Sequence, residues 1–234
     1  MFISFRMAKS LKTIPDIVRR RLAIGYRDCK NLLFYGFKAP LFAERIYINQ
    51  RNCKVYCTKW NREYTGRVIG GDWDLGLQPI ERHPKFEYCV RHWVNGLSWQ
   101  ASGAYDLMKK LIDEKGGRVD DCLTFEDIKQ RYERLDQIFF EVKHDMKVLP
   151  QQVHQPGGFR ESGGVYVHIN RNNDPVFGGG GVHRFAITKI LELDWIPAQL
   201  GVVHKEAIKK WIVYRNSPVG KTLGDIKTLE NGSH

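Results

Sequence analysis

Four consecutive glycines, Gly178 to Gly181, followed by Val182-His183-Arg184, constrain this chain more than any other stretch. They lie between a short apolar segment that reads as a strand, Pro175-Val176-Phe177, and an apolar-periodic run from Phe185 to Leu193. A strand, a glycine turn and a helix start in that order leave backbone N–H groups uncovered by side chains. They also place those groups at the positive end of a helix dipole, where an anion is stabilised. Gly179, Gly180 and Gly181 are therefore the expected phosphate cradle, with His183 and Arg184 adding side-chain donors in the first helical turn. A tight glycine turn beside a solvated arginine is the plainer alternative, and glycine runs alone do not choose between them.

The flanking segments add context. Val165 to Ile169 alternates as a strand and Asn170-Arg171-Asn172-Asn173-Asp174 is turn chemistry, so a hairpin leads into the glycines. Leu191 to Pro197 ends the following helix, and Ala198 to Val203 reads as another strand. A helix carrying Leu135, Ile138, Phe139 and Val142 on one side precedes the hairpin. This order, with Gly181-x-His183-Arg184 and then Asp194-Trp195-Ile196-Pro197, resembles the ParB/sulfiredoxin-like family over roughly residues 124–204.

The resemblance implies an α+β fold, α/β-like in its strand and helix order, with a small mixed sheet and a nucleotide phosphate on the glycine and His-Arg turn. The family includes peroxiredoxin-repair enzymes, chromosome-partition proteins, nucleases and free-serine kinases. Two branches are not expected here. Sulfiredoxins carry a reactive cysteine directly before the His-Arg pair, where this chain has Val182, which forms no covalent sulfur intermediate. Partition proteins carry a Glu-Arg-Arg box and a long helical DNA-binding domain behind it, whereas about thirty residues follow Val203.

With 234 residues and 42% hydrophobic content, the chain can bury one substantial core. The expected plan is a basic amphipathic arm over 1–40, one ParB/sulfiredoxin-like domain over 41–216 with a helical insertion at about 83–147, and a tail over 217–234. Charges interrupt every apolar run and the N-terminus shows no signal-peptide pattern, so a cytoplasmic protein is expected, with peripheral membrane contact as an option. The five cysteines are unevenly spread and read as reduced thiols; Cys53 and Cys57 lack a second ligand pair at zinc-finger spacing.

The formal charge of +11 is concentrated early: the first 38 residues contain Arg6, Lys9, Lys12, Arg19, Arg20, Arg21, Arg27, Lys30 and Lys38 against Asp16 and Asp28. Ile14, Ile17, Val18, Leu22, Ile24, Leu32, Leu33, Phe34, Tyr35 and Phe37 lie among them, so an amphipathic helix is expected over part of the segment. Such an arm would cover the core, lie on an anionic membrane surface, dock a protein partner or follow nucleic acid. Aromatic residues cluster with aliphatic ones there, which favours the membrane or protein partner over a base-stacking groove.

Arg45 to Ile69 reads as an antiparallel group of strands leading to Gly70-Gly71-Asp72-Trp73-Asp74. Asp72 and Asp74 would share a strand face, as a Mg²⁺ site or as a general base beside an ionised partner; an Asx turn with a surface tryptophan is the alternative. Helices are expected over Pro84–Ser98, from Ser102 to Glu114, and from a Thr124/Asp127 capping box to Lys147. His92, Trp93 and Trp99 would line an acceptor pocket or simply pack in the core, and Arg131 is a candidate anion contact. Gln151 to Gly164 reads as a loop or lid.

By analogy with the kinase branch, the expectation is a nucleotide-dependent phosphotransferase. It would use a nucleoside tri- or diphosphate with Mg²⁺ and act on a small hydroxyl-bearing acceptor, with Asp72 or Asp74 as base or metal ligand. A nucleic-acid-binding or nucleolytic protein and a non-catalytic nucleotide-binding module are the alternatives.

Overall fold

The computed structural model describes residues 16–148 and 160–215; most of the expected lid, residues 151–159, and the tail lie outside the described residues. The fold is α+β with one mixed sheet. Its strands are β1 (Arg45–Asn49), β2 (Val55–Tyr56), β3 (Val68–Ile69), β4 (Gln78–Pro79), β5 (Val165–Ile169), β6 (Pro175–Phe177) and β7 (Trp195–His204). The helices are α1 (Asp16–Tyr35), α2 (Pro84–Trp93), α3 (Ala104–Lys115), α4 (Phe125–Asp145) and α5 (Val182–Ile190). No helix among the described residues is long and apolar enough to cross a membrane.

The sheet order is β1-β7-β5-β6-β2-β4, with β3 pairing separately to β7. Strand β7 lies antiparallel to β1 and parallel to β5 and β3. Nine of its ten residues are buried, so its side chains read as a nearly continuous apolar run and not as an alternating one. The expected antiparallel group over Arg45–Ile69 does not form. β1, β2 and β3 do not pair with one another; β1 and β3 go to β7, and β2 goes to β4 and β6. The 3₁₀ turns Gln50–Asn52 and Arg62–Tyr64, N-capped by Asn49 and Asn61, redirect the chain between these short strands and remove any hairpin register.

Helices α2, α3 and α4 occupy the chain between β4 and β5 and pack on one another and on α5 through a shared core that includes Tyr88, Cys89, Trp99, Met108, Ile128 and Tyr132. Helix α4 starts at the expected capping box: Thr124 Oγ1 accepts from Asp127 N–H at 3.1 Å, and the Asp127 carboxylate accepts from Thr124 N–H at 2.8 Å. Helix α2 is shorter than the expected Pro84–Ser98, because the chain unwinds after Trp93 and Gly96 adopts φ +74°. Ser102 does not cap α3; its hydroxyl donates to the Trp99 carbonyl, and Gly103 occupies the cap.

Helix α1 docks by its C-terminal half. Asn31, which is buried, donates to the carbonyls of Pro40 (2.7 Å) and Gly66 (2.6 Å), while Asp28 accepts from Phe42 N–H and pairs with Arg160.

Candidate functional site

The glycine loop leaves the open end of the β5–β6 hairpin and enters α5. Gly178 N–H donates to the Tyr166 carbonyl (2.7 Å) and Tyr166 N–H donates to the Gly180 carbonyl (2.9 Å), so the first part of the loop continues the pairing of the two strands. Gly181 then takes φ +72° as the N-cap of α5, a left-handed conformation that L side chains rarely adopt, and makes no side-chain cap hydrogen bond. The first N–H groups of α5 therefore have no intrahelical acceptor and no capping side chain.

A cleft of about 390 Å³ opens over this helix end. Besides Gly179, Gly180 and Gly181, its walls carry Arg62, Lys85, Arg131 and Arg184, with Asp120 as their one carboxylate. Each cation comes from a different element: Arg62 from the 3₁₀ turn after β2, Lys85 from the first turn of α2, Arg131 from α4 and Arg184 from α5. Arg62 lies beneath the loop, donating to the Gly164 carbonyl (2.8 Å) and to Gln199, with its guanidinium 5.6 Å from the Tyr166 ring centroid. Burial, and behind it the like charge of Arg184, holds the Arg62 pKa below its ordinary value, and burial does the same to Arg184.

Lys85 pairs with the Asp120 carboxylate, and Arg131 donates to the Asp120 carbonyl at 2.8 Å. The Arg131 Nε is buried with no hydrogen-bond partner among the described residues. Burial pushes the Asp120 carboxyl up, but Lys85 and Arg131 outweigh it, so the group lies below the usual carboxylate range and is ionised at neutral pH.

His183 lines the cleft but is 6% exposed, and it is less of a phosphate ligand than its place in the motif suggests. Tyr132 Oη donates to Tyr88 Oη (2.8 Å), so the Tyr88 hydroxyl proton is directed to His183 Nε2 at 2.6 Å. With Nε2 accepting, the imidazole proton sits on Nδ1. Burial, then the charges of Lys85 and Arg131, push the His183 pKa down to about 3, so the ring is neutral at physiological pH. It offers the cleft one N–H and no charge.

The two carboxylates Asp72 and Asp74 are elsewhere. Asp74, whose side chain is 1% exposed, takes the Arg171 guanidinium on both oxygens (2.8 and 3.1 Å) and the Arg171 backbone N–H at 2.8 Å. Asp72 meets the same guanidinium at 2.8 Å. Arg171 belongs to the 170–174 turn, the closed end of the hairpin whose open end carries the glycine loop. A five-residue strand separates the two ends, roughly 17 Å. Neither aspartate lines the cleft, and Arg171 is bound to both members of the pair expected to hold Mg²⁺ or act as a base. Trp73 between them is buried, with its indole N–H on the Ile69 carbonyl at 3.2 Å, and is not a surface tryptophan.

His92, Trp93 and Trp99 also lie outside the cleft lining. They converge on Asp136 of α4, whose Oδ1 takes His92 Nε2 (2.9 Å) and Trp93 Nε1 (2.8 Å) and whose Oδ2 takes Trp99 Nε1 (2.9 Å). His92 stacks on Trp99 with ring centroids 3.8 Å apart. This cluster ties α2 and the segment after it to α4, and the donors expected to meet an acceptor are already satisfied. Of the expected acceptor-binding residues, Arg131 alone reaches the glycine loop's cleft.

Arg62, Lys85 and Asp120 carried no signal in the sequence, because nothing around them marks a site and the topology alone brings them together. Comparison of the chain with family models, curated proteins and solved structures finds no match. The fold and cleft define an α+β domain with a cationic glycine-loop pocket.

Proposed function

We propose that this protein binds a nucleoside di- or triphosphate by its phosphate tail in the glycine-loop cleft and transfers a phosphoryl group to a small hydroxyl-bearing acceptor. The observation that carries the reading is the charge imbalance at the start of α5, where four cationic side chains and one carboxylate surround a glycine loop. A phosphate chain would neutralise Arg62 and Arg184 together and fill the uncapped N-terminus of α5. The likeness of the hairpin, glycine loop and helix to the ParB/sulfiredoxin-like order supports a nucleotide as the phosphate carrier.

Phosphoryl transfer requires positioning and neutralisation of charge on the transferred group, both of which a ring of fixed cations supplies. Asp120 replaces Asp72 and Asp74 as the carboxylate within reach; held ionised by Lys85 and Arg131, it would orient an acceptor hydroxyl whose proton passes to an oxygen of the transferred phosphoryl group. No group of three or more His, Cys, Asp or Glu side chains suited to a metal occurs among the described residues. Mg²⁺ would accordingly arrive on the nucleotide's phosphates, with Asp120 as the cleft's carboxylate contact, and would add neutralising charge.

The test is calorimetric titration of ATP, ADP and CTP with Mg²⁺ into the wild type and Arg184→Ala, followed by ³¹P-detected transfer to a panel of hydroxyl-bearing acceptors with wild type and Asp120→Asn. Micromolar binding weakened at least about tenfold in Arg184→Ala is expected. Binding with no transfer to any acceptor would leave a nucleotide-binding module. Absence of binding by folded protein would remove both readings and direct the search to nucleic acid.

A further inference from the structure

Helix α1 has two faces with apolar character, and the domain uses one of them. The inner face carries the buried Asp28 and Asn31 and the half-buried Ile24, Arg27 and Tyr35, at spacings that place them on one side of a helix. On the opposite side lie Val18, Leu22, Tyr26 and Leu33, which are 42%, 60%, 71% and 87% exposed. Phe34 and Phe37 extend the apolar surface at the C-terminal end, 71% and 75% exposed. Single exposed apolar residues are ordinary, whereas a continuous stripe of large ones marks a surface that something covers.

The charges identify what covers it. Arg19, Arg20, Arg21 and Lys30 are exposed on the same helix, while Asp28 is occupied by Arg160 and the Phe42 N–H. Beside the helix runs a groove of about 520 Å³ that holds Arg27, Lys30 and Arg67 together with Tyr26, Phe34 and Ile69, and no carboxylate lines it. A second copy of the chain docked through this face would set basic side chains against basic side chains. An anionic lipid surface matches both halves of the pattern, with apolar side chains at the boundary of headgroup and acyl chain and cations among the phosphates.

We propose that α1 seats the protein on an anionic lipid surface, with Leu22, Tyr26, Leu33, Phe34 and Phe37 entering the interface and the exposed Lys30 and Arg67 of the groove receiving lipid phosphate. The helix bridges two phases, since its inner face stays on the domain while its outer face meets lipid. This surface is separate from the glycine-loop cleft and does not depend on the activity assigned there.

Co-sedimentation of the full chain with phosphatidylcholine vesicles, and with vesicles of phosphatidylcholine mixed with phosphatidylglycerol, tests the proposal. Binding to the phosphatidylglycerol vesicles alone is expected, weakening as salt rises. It should fall by at least roughly tenfold in Leu22→Asp/Leu33→Glu and, separately, in Arg67→Glu. These positions are exposed, and an unchanged circular dichroism melt would confirm an intact fold. Arg184→Ala should sediment like the wild type. Failure of folded protein to bind, equal binding to neutral vesicles, or binding unaffected by the double substitution would overturn the proposal. A solution mass of two chains that the double substitution reduces to one would overturn it as well, by assigning the stripe to a second copy.

Discussion

Gly180 lies so close to Arg62 that a Cβ at that position would be 2.6 Å from the guanidinium Nη2. The absent side chain is what lets a cation tuck beneath the loop. Gly180→Ala is expected to push Arg62 off Gly164 and Gln199, and because a guanidinium can swing aside, the fold should survive. Affinity for ATP or pyrophosphate should drop roughly tenfold, the scale of one charge-assisted contact, with a melting temperature within a few degrees of wild type. Unchanged affinity by calorimetry would mean that Arg62 does not contact the ligand.

The Tyr132, Tyr88 and His183 chain predicts a tautomer. Nitrogen NMR should find His183 protonated on Nδ1, neutral down to pH 5, and unprotonated on Nε2. Tyr88→Phe would strand a buried acceptor and cost about 1–2 kcal/mol in urea denaturation. A proton found on Nε2 would reverse the direction of the chain and remove the cleft's neutral donor.

His168 makes stability depend on pH. The ring is fully buried; its Nδ1 accepts from Val202 N–H at 3.0 Å, and Nε2–H donates to the Cys57 carbonyl at 3.2 Å. Burial pushes its pKa from 6.5 down to about 4. Between those values the unfolded chain takes up a proton that the folded protein refuses. The stabilisation is therefore complete above pH 6.5 and declines as pH falls to about 4, by on the order of 3 kcal/mol. His168→Gln should make this decline shallower, leaving the part contributed by His183, whose pKa burial also lowers; a loss unchanged in that variant would place the titration elsewhere.

Asp74 and Asp72 separate clamp from chemistry. Asp74→Asn should lower the melting temperature by several degrees, because the Arg171 guanidinium and backbone N–H lose their buried anion, while Asp72→Asn, at an exposed carboxylate, should change it little. Neither should alter nucleotide affinity or turnover. A loss of turnover in folded Asp72→Asn would restore that aspartate to the site.

The legible parts of this molecule are those encoded within a few residues. The Thr124/Asp127 capping box, the Val165–Ile169 and Pro175–Phe177 hairpin strands and the glycine loop each depend on local hydrogen bonds and backbone freedom, and each forms near its expected position. The carboxylates misled because a sequence shows two charges side by side without showing Arg171, 97 residues after Asp74, that faces them. His92, Trp93 and Trp99 misled for the same reason, since their partner Asp136 lies on another helix. Arg62, Lys85 and Asp120 were invisible because a tertiary cleft leaves no period or motif in the chain.

Among the described residues, strand β7 is the last in sequence and the structural spine of the sheet. β1 and β3 have no strand partner except β7 among the described residues, and β5 has β7 on its other side from β6. During synthesis, some 150 residues separate the emergence of β1 from that of the strand that satisfies its backbone. The sheet consequently assembles through long-range closure, which is slow and leaves two strand edges open until the end. A nascent chain halted before Trp195 would hold the helices and the hairpin yet lack a place for β1, making it a substrate for holdase chaperones and prone to edge-to-edge aggregation.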